Sequence, residues 1–131
     1  MPSVRNVAVA IFLVILCFGL SGCRSVQSKD MIGSYQLKAE WGCGSILLRE
    51  DNTFHQEVKL GCSQSSQTID GVWTPDGSSI SKVTLKPFWN HDSTGTLKRY
   101  EYDDLPVEQS LWGPLRIIVN PDAGFSYEKQ K

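Results

Sequence analysis

From Gly33 onward, turn-forming residues recur roughly every 8–12 positions, and the stretches between them alternate apolar with polar, as antiparallel strands do. No segment sustains the helical period of 3.6 residues. The plainest strand is 53–60, where Phe54, Val58 and Leu60 share one face and Thr53, His55, Glu57 and Lys59 the other. Gln56 alone breaks its apolar phase. Further strands are expected over 35–40, 45–49, 68–74, 79–86, 96–102, 115–119 and 125–128, with a phase slip between Ile80 and Val83 that suggests a bulge. Thr74-Pro75-Asp76-Gly77 has the residues of a type I turn. Segments 61–67 and 87–94 read as loops, and 103–114 as irregular with a helical turn after Pro106. About eight short strands make an all-β fold, a small antiparallel meander barrel or a sandwich. The barrel is preferred, because closure removes the edges that a two-sheet stack must protect.

The first residues have a different texture. Arg5 is the only charged side chain before Arg24, and residues 7–20 are apolar except for Gly19. A charged start, a short apolar core and small residues before Cys23 form a secretory leader. The apolar run falls short of the roughly 20 residues that a membrane span takes. The leader is therefore residues 1–22, with 23–32 as the mature N-terminus and tether and 33–131 as one barrel domain.

Leu20-Ser21-Gly22-Cys23 resembles the lipobox of bacterial lipoproteins. That resemblance implies cleavage before Cys23 and acylation of its thiol. An uncleaved anchor helix and a conventional signal peptide with a free Cys23 are the alternatives. Several acyl chains are needed for stable attachment, since each buried CH₂ contributes about 0.8 kcal/mol and one chain binds only marginally. Arg24, standing where many retained lipoproteins carry Asp, implies by the same resemblance an outer-membrane destination facing the periplasm. Gly33-Ser34-Tyr35, Gly71-Val72-Trp73 and the run Leu47-Leu48-Arg49-Glu50-Asp51-Asn52-Thr53-Phe54 resemble strand starts and a hairpin of small lipocalin-like bacterial lipoproteins. This implies a lipocalin-like barrel and assigns no ligand.

Of four cysteines, Cys17 leaves with the leader and Cys23 takes lipid, so Cys43 and Cys62 remain as an even pair in an exported chain. A disulfide is favoured, worth about 3 kcal/mol in the chain-entropy model. Metal ligation with His55, or two free thiols, are the other readings. Pairing Leu48 with Phe54 would set Cys43 opposite Lys59, so a bridge to Cys62 needs a bulge at Gly42 or Gly44, or a bend at Gly61.

The formal net charge of −1, from 13 basic and 14 acidic residues, argues against a nucleic-acid partner. His91-Asp92-Ser93 groups base and nucleophile types, but adjacency is not triad geometry and no Gly-x-Ser-x-Gly elbow accompanies it. Glu101, Asp103, Asp104 and Glu108 form an acidic patch without a calcium-loop pattern, best read as a solvated rim. No cofactor, metal or catalytic residue is expected. Among the tryptophans, Trp73 lies in a strand and should be core. Trp89 and Trp112 stand in expected loops, and with Phe88 they are the candidate contacts for a ligand or partner.

The expected protein is thus a non-enzymatic, envelope-anchored module. It meets the membrane through acylated Cys23 and binds a small apolar ligand or an envelope protein. An inhibitor or immunity protein against a lytic enzyme is the second reading, and a hydrolase the third. Cys23→Ser removes the acyl acceptor, so metabolic labelling with a fatty acid should tag the wild type and leave the variant untagged.

Overall fold

A computed structural model describes residues 25–62, 65–92 and 96–131. The leader, Cys23, Arg24 and Ser93 lie outside the described residues. The strands are β1 (Gly33–Lys38), β2 (Gly42–Leu48), β3 (Thr53–Leu60), β4 (Gln67–Pro75), β5 (Lys82–Lys86), β6 (Phe88–His91), β7 (Leu97–Tyr100), β8 (Asp103–Gln109), β9 (Leu115–Asn120) and β10 (Phe125–Lys129). Eight of them close an antiparallel barrel in the order β1-β10-β9-β8-β5-β4-β3-β2. It is a meander in which every neighbour is next in sequence, apart from the β6–β7 hairpin inserted between β5 and β8 and the closing pair β1–β10. The preference for a barrel over a sandwich holds.

Up-and-down order sorts the connections onto two ends. The β1–β2, β3–β4 and β9–β10 turns and the β6–β7 hairpin lie at one end, called the mouth. The β2–β3, β4–β5 and β8–β9 connections lie at the other, where the described chain also begins. That far end is capped from within. A single helical turn, α1 (Ser28–Met31), buries Met31 completely, and Tyr35 donates its hydroxyl to the Met31 carbonyl at 2.6 Å. Val26 packs on the core and its carbonyl accepts from Ile80 N–H at 2.8 Å. From Val26 on, the stretch expected as a tether is therefore part of the barrel's end cap.

The 48–54 hairpin explains its own sequence. Asp51 accepts from the Thr53 N–H and hydroxyl, and these bonds hold its carboxyl below the usual range. Asn52 takes a positive φ of 64°, a conformation that asparagine tolerates. Its carbonyl accepts from Trp73 N–H, and the Trp73 indole donates to the Arg49 carbonyl at 2.9 Å. Trp73 is thus the buried residue its strand phase implied, with its one polar atom satisfied.

Three expectations need correction. Residues 103–109, read as irregular, form barrel strand β8; the acids and Pro106 hide an alternation that buries Leu105. Pro106 is tolerated because β8 pairs with β5 over Asp103–Pro106 and with β9 from Val107, so the missing N–H falls where one neighbour hands over to the next. Strand β5 begins only at Lys82; Ile80 is buried but belongs to the end cap, and Ser81 is turned by two bonds to Asp76. Residues 88–91, read as loop, form β6.

Strand β6 is held by Gln56, whose side chain is fully buried inside the barrel. Gln56 Nε2 donates to the Trp89 carbonyl at 2.8 Å and to the Tyr127 hydroxyl at 3.1 Å, while Trp89 N–H donates back to Gln56 Oε1 at 2.9 Å. One amide thereby pairs with a backbone as a neighbouring strand would. Phe88 follows it inside, fully buried and edge-on to Tyr127 with ring centroids 6.4 Å apart. Gln56→Leu would leave the Trp89 N–H and C=O unpaired, and each such group costs about 1–3 kcal/mol. The variant should lose about 2–4 kcal/mol in urea melts, and hydrogen exchange should quicken in β6 before it does in β3.

Candidate functional site

The mouth carries the candidate site, and the disulfide shapes it. Cys43 and Cys62 are bonded with Cα atoms 4.9 Å apart. The register is the one that Leu48 opposite Phe54 requires, with Cys43 opposite Lys59. The chain reaches back by bending at Gly61, φ +59°, and Cys62, φ 20°. Gly61 N–H also donates to the Trp41 carbonyl at 2.8 Å, so the bridge and this bond fix the turn that carries Trp41. The Trp41 ring stacks on His91, centroids 4.9 Å apart and planes 14° from parallel. That contact ties the β1–β2 turn to the tip of β6.

Between these elements runs a groove of about 690 Å³, walled by Trp41, Leu60, Gln67, Trp89 and Leu97. The indole Nε1 atoms of Trp41 and Trp89 are both buried and have no hydrogen-bond partner among the described residues. Indole N–H is donor-only and usually finds an acceptor when buried. Beneath the groove the barrel is filled by Gln56, Phe88, Phe54, Val58 and Tyr127, all but solvent-free. Burial raises the Tyr127 hydroxyl pKa far above its ordinary value, so it stays protonated.

The sequence candidates separate. Trp89 belongs to the groove, although it sits in a strand and not in the expected loop. Phe88 is core and touches nothing outside, a correction that follows from strand alternation placing it opposite in phase to Trp89. Trp112 is 98% exposed, but at the far end of the barrel, in the β8–β9 loop. Leu60, expected on the inward face of its strand, is 40% exposed and lines the groove, because β3 runs past the barrel rim there. Trp41, Leu97 and His91 join the site unforeseen; proximity of Trp41 to Cys43 was the one available signal.

The polar constellations stay apart. His55 pairs with Asp70 at 2.9 Å on the outer wall, in the polar phase expected of it. Asp92 caps its own turn by accepting from Thr96 N–H. Asp104 accepts from the Thr84 hydroxyl, Glu101 lies 3.9 Å from Arg99, and Asp103 accepts from Asn90 Nδ2 at 3.1 Å. Among the described residues, no group of three or more His, Cys, Asp or Glu side chains could hold a metal ion. No family model matches the chain, and neither a curated protein nor a solved structure does.

Asp103 bears on the mouth through Asn90. Burial pushes its carboxyl pKa up, the Asn90 bond pulls against that, and the Asp104 charge adds to the rise. A carboxyl raised in the folded state disfavours folding once ionised. Its cost is absent below the unfolded carboxylate pKa of about 3.9 and grows as pH climbs through the folded value. Asp103→Asn keeps an acceptor for Asn90 without the charge. Melts should show the variant gaining on wild type between about pH 4 and pH 7, by a fraction of a kcal/mol because the group is half exposed, and matching it in acid.

Proposed function

We propose that this chain is a non-enzymatic lipoprotein of the bacterial envelope, held by acyl chains on Cys23. In this reading the barrel mouth binds a small, flat, apolar ligand that carries a hydrogen-bond acceptor. The observation that carries the reading is the pair of indole N–H groups on Trp41 and Trp89, without an acceptor among the described residues, beside an apolar groove. A buried donor without an acceptor costs about 1–3 kcal/mol, which a bound acceptor would recover. Leu60 and Leu97 supply apolar walls, and Gln67 a polar group that can fix orientation. The packed interior supports the mouth over the lumen as the ligand's seat in this reading. Residue Arg24 supports the outer membrane as destination.

A backbone carbonyl from an envelope protein would offer the same acceptor, and the two occupants part experimentally. Native mass spectrometry of protein extracted gently from envelopes should find a small-molecule adduct on the wild type. Trp41→Phe and Trp89→Phe keep a ring and remove the donor, and each should weaken retention about tenfold, the worth of roughly 1–1.5 kcal/mol. Equal adduct occupancy in wild type and both variants would sink the assignment to this groove. A protein recovered in place of a small molecule would transfer the site to a protein partner.

A further inference from the structure

Trp112 and Leu111 are the two most exposed large apolar side chains among the described residues, at 98% and 69%. They are adjacent, and their loop is braced from within. Gln109 Nε2 donates to the carbonyls of Ser110 at 3.4 Å and Gly113 at 3.3 Å, which holds the apolar tip outward. A hollow of about 1340 Å³ at this end is bordered by Leu111 and Trp112 and also by Ser25 and Val26. Cys23 precedes Ser25 by two residues, a reach of at most about 7 Å at some 3.6 Å per residue. The described chain thus begins, two residues after Cys23, at the end of the barrel that carries the Trp112 loop.

We infer that the β8–β9 loop is a membrane-interface contact, with Leu111 and Trp112 seated in the lipid headgroup layer next to the acylated Cys23. This rests on the acylation reading of the proposed function. Tryptophan suits that depth, because its ring takes up apolar surface while its N–H stays among polar groups. Energetically the contact is apolar. At this end Glu50, Asp51 and Asp76 are offset by Arg49, Lys29, Lys129 and Lys131, a balance that leaves attraction to an anionic surface little part in it. One anchor point alone would let the barrel swivel about its N-terminus. A second point on the loop fixes the barrel axis upright, with the Trp41–Trp89 groove turned away from the bilayer.

The test uses the acylated full chain in phosphatidylethanolamine–phosphatidylcholine vesicles, with and without lipid brominated on its acyl chains. Subtracting the emission of Trp112→Phe isolates the Trp112 signal. That signal should shift to the blue and drop about twofold or more with bromolipid, as for an interfacial tryptophan, equally at low and high salt. Cys23→Ser protein free in solution should show neither change. Flotation with vesicles reports the anchor separately. Wild type that fails to float overturns the acylation reading and this inference together. Wild type that floats while Trp112 remains open to acrylamide and blind to bromolipid overturns the loop contact alone. Shielding of Trp112 in native envelopes but not in protein-free vesicles also overturns it, in favour of a protein surface.

Discussion

A buried amide does the work of a strand in this barrel. Gln56 sits where a hydrocarbon would pack more cheaply, and it satisfies both hydrogen-bonding groups of Trp89 through one side chain. Everything at the mouth follows from that pairing. It admits Phe88 to the interior, sets Tyr127 as a second partner and projects Trp89 the opposite way, toward the groove. A fully satisfied buried polar group specifies one arrangement, because any slip of β6 would leave several donors unpaired at once. The Trp41–His91 stack, set on a turn that the Cys43–Cys62 bridge fixes, then acts on a hairpin that is already in register.

The barrel's two ends differ in kind. At the mouth, polar pairing, a disulfide and stacked rings surround a groove whose two indole donors have no acceptor among the described residues. At the far end, Met31 and Ile80 seal the core, and the apolar residues left over point outward from a braced loop. Aromatic side chains thus serve three distinct ends in one small domain. Trp73 packs, Trp41 and Trp89 border the groove, and Trp112 stands 98% exposed.

Much of this was legible because barrel strands alternate and their turns have chemistry. Phe54 and Val58, the Asp51-Asn52-Thr53 turn and the Asn120–Gly124 turn, where Asn120 accepts from two backbone N–H groups, are local facts that a local pattern reports. Register alone called for a bulge at Gly42 or Gly44 or a bend at Gly61, and the chain takes the bend. Strand β8 was hidden because its pairing partners change at Pro106, which no property of the segment itself reveals. The mouth was hidden for a related reason. Gln56 and Trp89 are 33 positions apart, and a break in apolar phase shows that something polar is needed without saying what will answer it. The phase break was the strongest clue in the chain and looked like noise.

Closure of the barrel also dictates an order of events. Strand β1 pairs with β10, Lys129 Nζ bonds the Asp30 carbonyl, and Gln130 N–H donates to the Ser34 carbonyl. The first strand made therefore waits for the last. A chain emerging from a ribosome or a translocation pore can build the β2–β3–β4 meander early. It cannot close until β10 is free to pair with β1. Until then β1 and β9 present unpaired edges, the kind of surface on which nascent chains stick to one another. Long-range closure of this sort is slow, so a chain of this design gains from being held at a surface, apart from its siblings, while its ends find each other.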